Sequence, residues 1–268
     1  MLQRLSLDGR VVIITGGGTG LGRAAVRALA RAGADLVIAA RRAGPIEEAA
    51  EEVRSLGRRA LAVATDVTDS TQVDRLFQTC LDQFGKVDVL INNAGMTQEN
   101  VRKPIWDVTD DDWRIGIDTN LSSAFYCSRA VSKHMVERGT GKIINVASGF
   151  GLRGGRDIWM YCCGKGGLLQ LTRVLAFNLG RYGVTANTIV PGFIPTAGTD
   201  DMRESLPRFG ENIPIGHLGK PEDMGPVAVF LASEASDYMN GEMFTLDGGG
   251  LAAGMAPAGY LPLVPLET

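Results

Sequence analysis

A phenol and an ammonium stand four residues apart at Tyr161 and Lys165, in a Leu- and Ala-rich stretch that predicts a helix over 158–182. Residues i and i+4 share a helix face, so these two side chains point the same way while Cys162 and Cys163 turn aside. Such a pair could move a proton. Reducing a ketone by hydride needs a proton for the oxygen, and oxidising a secondary alcohol needs a base to remove one. A free phenol, with a pKa of about 10, is a slow base near neutrality. An ammonium ~5 Å away, at an effective dielectric of ~20, favours phenolate by roughly 3 kcal/mol, about two pKa units. Lys165 is therefore expected to lower the pKa of Tyr161. The two thiols read as small packing residues, since no His or acid stands nearby in sequence to activate them.

Hydride chemistry needs a carrier, and the segment TGGGTGLG, Thr15 to Gly22, offers a place for its phosphates. It follows the first apolar run and opens the first helix. Gly16, Gly18, Gly20 and Gly22 allow a tight turn, and backbone N–H groups through Thr19 and Leu21 can meet a phosphate at the positive helix end. The second apolar run ends in Ala40, Arg41 and Arg42. An NAD site usually has an acid there for the ribose hydroxyls. Ala40 offers none, and Arg41 with Arg42 offers guanidinium forks for a 2′-phosphate. NADP is the expected cofactor and NAD the alternative, which holds if the two arginines are only solvated loop charges.

The elements that must position these groups are legible as an alternation. Runs rich in Val and Ile at 10–15, 34–40, 59–65, 87–92, 141–147, 184–190 and 241–247 predict strands. Helical stretches lie near 20–32, 45–56, 69–84, 111–137, 158–182 and 221–233, with Asp69 and the Pro221, Glu222, Asp223 sequence as start signals. Strict alternation implies right-handed crossovers and a parallel sheet covered on both faces. The expected fold is α/β: one Rossmann-type doubly wound domain over 1–268, of about seven strands. Ser148 then ends the fifth strand, at the carboxyl edge where such sheets bind ligands. Asn120 falls inside the long 111–137 helix, where asparagine is mildly unfavourable and could mark packing or a bend. Residues 193–215 read as a lid over the substrate. The tail, 251–268, carries three prolines and many apolar residues, and is expected to lie along its own domain or a neighbouring subunit.

Composition removes several function classes. The chain has 268 residues, 45% apolar and 21% charged, with a net charge of -3, so no basic excess attracts nucleic acid or an anionic membrane. Arg4, Asp8 and Arg10 occupy the positions where a signal peptide needs an apolar run, and a cytoplasmic protein is expected. Cys80, Cys127, Cys162 and Cys163 have no disulfide-framework spacing. His134 and His217 lie far apart without a Cys-x-x-Cys partner, so neither a zinc site nor a His-driven triad is expected.

Thr-Gly-x-x-x-Gly-x-Gly from Thr15, then NNAG from Asn92 to Gly95, then Tyr-x-x-x-Lys from Tyr161 resembles the short-chain dehydrogenase/reductase family, from about residue 5 to 250. Enoyl reductases of that superfamily space the Tyr and Lys by six residues, and extended epimerases require glycine where Thr19 stands. The resemblance implies a catalytic set of Asn120, Ser148, Tyr161 and Lys165. In it Ser148 hydrogen-bonds the substrate oxygen, Lys165 also holds the ribose, and Asn120 holds a water linking the lysine to solvent. It implies cofactor contacts at Asp66 and Val67 beside the adenine, at Asn93, Ala94 and Gly95, and at Pro191, Gly192, Ile194 and Thr196 near the carboxamide. Read from the residues alone, Asp66 could equally serve a turn and Ser148 end a strand. Many phosphate-binding relatives carry a second basic residue at the position of Thr19, which this chain lacks.

Met96, Arg153, Trp159 and Phe193 are candidate substrate-pocket residues. The expected activity is NADP-dependent interconversion of a ketone and a secondary alcohol, with Ser148 and Tyr161 meeting the substrate and no metal. The alternatives are the same chemistry with NAD, as in a sugar or polyol dehydrogenase, a hydroxysteroid-type dehydrogenase or a 3-oxoacyl reductase, or a silent nucleotide-binding regulator. A homotetramer or homodimer is implied, pairing the helices that carry Asn120 and Tyr161.

Overall fold

Seven short apolar segments form the centre of the molecule. The computed structural model describes residues 2–96, 103–196 and 210–252. Its strands are β1 (Val11–Thr15), β2 (Asp35–Ala40), β3 (Ala60–Ala64), β4 (Val89–Asn92), β5 (Gly141–Val146), β6 (Val184–Pro191) and β7 (Met243–Leu246). All pair in parallel, in the order β3-β2-β1-β4-β5-β6-β7. Runs such as VVIIT are apolar at every position because both sheet faces are covered, and every residue of β1 is buried.

Helices α1 (Gly20–Arg31), α2 (Ala43–Ser55) and α7 (Met224–Ala232) cover one face, where Val26, Leu29, Ile46, Val53 and Leu231 pack on Ile14, Ile38 and Ile91. Helices α3 (Ser70–Phe84), α5 (Ser123–Arg138) and α6 (Trp159–Leu179) cover the other, where Leu76, Val131, Met135 and Ala176 meet Ile13, Leu90 and Ile143. Burial of these side chains is the main stabilising contribution. Local signals set the ends: Asp69 accepts from Thr71 N at 2.9 Å and Gln72 N at 3.3 Å to start α3, and Gly85, at φ 74°, stops it.

The helix expected over 111–137 is present without a gap but is interrupted by a wider turn. A capping box between Thr109 and Asp112 opens α4 (Asp110–Ile117), a π-turn runs from Asp118 to Ser122, and α5 follows. Asn120 lies in that turn. Its Nδ2 donates to Gly116 O at 3.0 Å and to Met96 O at 3.1 Å, so the side chain competes for helix acceptors and the coil widens by one residue.

A polar seam crosses the core. Asn92 and Asn145 face each other in register on β4 and β5, and Asn92 Nδ2 donates to Asn145 Oδ1 at 2.9 Å. Asn145 Nδ2 donates to Thr172 Oγ1 at 2.8 Å, and Thr188 Oγ1 of β6 donates to the same hydroxyl at 2.7 Å. The seam locks α6 onto the strands whose ends carry the site. Of the expected lid, residues 197–209 lie outside the described residues, as does all of the tail after Ala252. His134 is a packing residue: Nε2 accepts from Val87 N at 3.2 Å and the ring meets Phe77 edge-on. His217 is exposed. No described helix is long and apolar enough to cross a membrane.

Candidate active site

The strand order reverses between β1 and β4, and there the carboxyl ends of the sheet open into a cleft of about 1380 Å³. Open α/β sheets bind ligands at this switch point. Gly16, Thr19, Gly20, Leu21 and Gly22 line its first end. Gly16 has φ +67°, and a Cβ there would stand 2.9 Å from Asn93 Nδ2, so this turn admits only glycine. Thr19 caps α1 without a side-chain hydrogen bond, so among the described residues the first-turn N–H groups have no side-chain acceptor. Thr15 Oγ1 accepts from Asn93 N at 3.1 Å and Ala94 N at 3.0 Å, and Asn93 Nδ2 donates to Thr15 O and Gly16 O. The NNAG segment thus holds the glycine turn against β4.

Gly18 departs from expectation. It does not line the cleft, and a Cβ on it would meet Ile46 and Pro45 at 3.1 Å. The turn packs on α2 at this position.

Arg41 and Arg42 are exposed at the cleft rim beyond Ala40, and neither forms an ion pair among the described residues. Asp66 and Val67 line the same end. Asp66 Oδ1 accepts from Thr68 N at 3.0 Å and Thr68 Oγ1 at 2.7 Å, so the carboxylate does serve a turn while facing the cleft. Two unpaired guanidiniums, no acid at position 40 and a helix N-terminus with open N–H groups form a donor set that fits a dinucleotide bearing a 2′-phosphate.

At the other end Ser148, Tyr161 and Lys165 come together, with Asn120 directly behind them. Ser148 caps the turn after β5, its Oγ accepting from Phe150 N at 3.2 Å, and its hydroxyl is near enough to Tyr161 to draw the phenol's pKa down. Lys165 Nζ lies 5.8 Å from the Tyr161 ring centroid and donates to Val146 O at 2.8 Å. A Cβ on Gly95 would stand 3.0 Å from Lys165 Nζ and 3.2 Å from Asn120 Oδ1, so a side chain here would press on both polar groups. Asn120 is 1% exposed and does not itself line the cleft.

The electrostatics correct one expectation. The pKa of Tyr161 is raised above its ordinary value, because burial outweighs the Ser148 hydroxyl that pulls it down. The lowering expected from Lys165 is not the dominant effect in the protein alone. Burial instead drives Lys165 itself down to about 8. Spacing revealed the pair; how deeply both heads are packed was not visible in sequence.

Of the other expected residues, Pro191, Gly192, Ile194 and Thr196 line the cleft, as do Met96, Arg153 and Phe193. Trp159 does not, and its Nε1 donates to Lys103 O at 2.9 Å. Cys162 is part-buried with its thiol pKa raised by burial, and Cys163 faces outward. Thr119, Asp247 and Leu251 line the cleft without having been anticipated. Asp247 accepts from Gly249 N and Leu251 N at 2.9 and 2.7 Å, a turn that the Asp-Gly-Gly-Gly sequence could have signalled.

Comparison with known proteins agrees with this geometry. Residues 16–250 match the family described as Enoyl-(Acyl carrier protein) reductase. The 2-dehydro-3-deoxy-D-gluconate 5-dehydrogenase of Escherichia coli (strain K12) is 37% identical over 94% of this chain and 99% of that protein. The 3-oxoacyl-[acyl-carrier-protein] reductase of Synechocystis sp. is 35% identical over 91% and 98%. The crystal structure of a gluconate 5-dehydrogenase from Burkholderia cenocepacia J2315, in complex with NADP and tartrate, superposes with a TM-score of 0.88 at 34% identity, covering 94% of this chain and 98% of that one. The chain belongs to the short-chain dehydrogenase/reductase family of NAD(P)-dependent oxidoreductases.

Proposed function

We propose that the protein reduces a ketone to a secondary alcohol, and reverses that step, using NADP. The observation that carries this reading is that Ser148, Tyr161 and Lys165 line one end of the same cleft, with the Lys165 ammonium 5.8 Å from the centre of the Tyr161 ring. NADP supplies or accepts the hydride when bound. A phenol whose pKa is raised is protonated at neutral pH, and so is equipped to donate its proton to a carbonyl oxygen. Ser148 orients that oxygen. As the phenol loses its proton, the charged lysine stabilises the phenolate that forms. Asn120, bonded to both Met96 N and Met96 O, fixes the backbone behind the lysine and keeps the proton path open there. Arg41 and Arg42 hold the 2′-phosphate and the α1 N-terminus holds the pyrophosphate.

The test is loss of NADPH absorbance with a panel of polar and apolar ketones, wild type against Tyr161→Phe. Turnover of at least one ketone by the wild type, lost in the variant, supports the reading. Tight NADPH binding with no turnover across the panel would favour a silent regulator.

The oligomer belongs to the proposal as well. Phe125 on α5 and Phe177 on α6 are 45% and 87% exposed, which fits pairing of these helices between subunits. Light scattering on Phe177→Glu should show a smaller assembly than the wild type; an unchanged mass would remove this face from the interface.

A further inference from the structure

The loop between Ser148 and Tyr161 brings charge to the substrate end of the cleft. Arg153 and Arg156 both line that end. The Arg153 guanidinium lies 5.0 Å from the centroid of the Phe150 ring, and that ring meets Tyr161 edge-on at 6.3 Å between centroids. The guanidinium and the phenol thus share Phe150 as a common neighbour. Stacking on a ring orients the planar fork while leaving its N–H edges free to bind.

Among the described residues no acid answers the charge of Arg153. Arg153 forms no ion pair among the described residues, and Arg156 meets only its neighbour Asp157, at 3.6 Å through Nε. Among the described residues lining the cleft the acids are Asp66, Asp118 and Asp247. Asp66 sits at the dinucleotide end. Asp118 accepts from Ser122 Oγ at 2.9 Å, and Asp247 is taken up by the backbone N–H groups of Gly249 and Leu251. The loop is also held in a costly form: Asp157, directly before the helix that bears Tyr161, has φ 58°, a region disfavoured for a residue with a Cβ.

We infer that the natural substrate carries a carboxylate, and that Arg153 grips it as a specificity-determining residue, setting the carbonyl against Ser148 and Tyr161. The inference rests on the oxidoreductase reading for the identity of the reacting group. A carboxylate suits the site because a guanidinium fork takes both its oxygens in one plane, and because substrate and arginine would share the ring-lined floor that keeps water from one side of the pair. A neutral ketone gains nothing from this charge. The class indicated is a small hydroxy or keto carboxylate, rather than a neutral acyl thioester or a sterol.

The test compares keto acids with their methyl esters, acetoacetate with methyl acetoacetate and levulinate with methyl levulinate, for wild type, Arg153→Met and Arg153→Lys. Methionine keeps a side chain over Phe150 and removes the charge. The wild-type kcat/KM should favour each acid by about 10- to 100-fold, mainly through KM, with the ratio falling towards one in Arg153→Met and partly restored in Arg153→Lys. A wild-type ratio near one, or a ratio that Arg153→Met leaves in place, would overturn the inference while the oxidoreductase reading stood. A second measurement does not depend on turnover: calorimetric binding of succinate, against succinamide, to the NADP complex. Succinate binding lost in Arg153→Met, with no ketone reduced, would keep the anion site and sink the oxidoreductase reading. Equal binding of the two ligands would sink the anion site.

Discussion

Lys165 Nζ stands 5.8 Å from the centre of the Tyr161 ring but gives its hydrogen bond to Val146 O, at 2.8 Å. The charge is therefore fixed by the end of β5 rather than by the phenol it serves. Being buried, the ammonium is held at a cost, and its pKa falls to about 8. The two side chains share a helix face, yet the free energy of the pair is governed by how little water reaches either.

That cost fixes a pH dependence. Below about 8 Lys165 is charged and can stabilise the phenolate; above it the charge is lost. The kcat/KM for NADPH in ketone reduction, which reports the free enzyme, should fall as pH rises through about 8. A profile flat from pH 7 to 9.5 would remove Lys165 from the proton step.

The same group acts on stability with the opposite sense. An unfolded lysine keeps its proton to about 10.5, whereas the folded one releases it near 8, so between these values the unfolded state binds more protons. Lys165 thus makes stability rise with pH across that window, and its burial penalty is fully present below it. Lys165→Met should gain on the order of 1–3 kcal/mol at pH 7 in denaturant unfolding, while losing activity. A destabilised variant would show that the Val146 hydrogen bond outweighs the burial cost.

Arg41 should select the cofactor. Arg41→Ala is expected to lower kcat/KM for NADPH by about 10- to 100-fold and to leave that for NADH within about threefold. Equal losses for both cofactors would mean that the arginine supports the loop rather than a phosphate.

The polar seam beneath the site should be costly to break. Asn145→Leu leaves Asn92 Nδ2 with poorer partners and Thr172 with one of its two donors, Thr188, and should destabilise by about 2–4 kcal/mol in urea unfolding. A change under about 1 kcal/mol would mean that water replaces the lost bonds.

Much of this was readable before any coordinates. The alternation of apolar runs with helical stretches gave seven strands within a residue or two, since the central strands, buried on both faces, are mostly apolar and the few polar residues they carry do not break the runs. Tyr161 and Lys165 were legible because a helix converts a spacing of four into a shared face. The break at Asn120 was only hinted at: an asparagine inside an otherwise regular helix shows discomfort, but the widened turn depends on Met96, which is distant in sequence. Gly18 shows the same limit. Its close approach to Pro45 and Ile46 on α2 is set by the packed fold, and no local pattern carries that information. The reversal of the Tyr161 shift has a related origin, because Coulomb attraction follows from spacing whereas desolvation follows from the packed fold.

The central claim is that Tyr161 gives its proton to the carbonyl oxygen. Single-turnover reduction of a ketone by NADPH in Tyr161→Phe, with NADPH affinity measured alongside, tests it most directly. Affinity within about threefold of wild type and hydride transfer slowed by roughly 10²- to 10⁴-fold is the expected result. Transfer within about tenfold of wild type, at unchanged affinity, would contradict it.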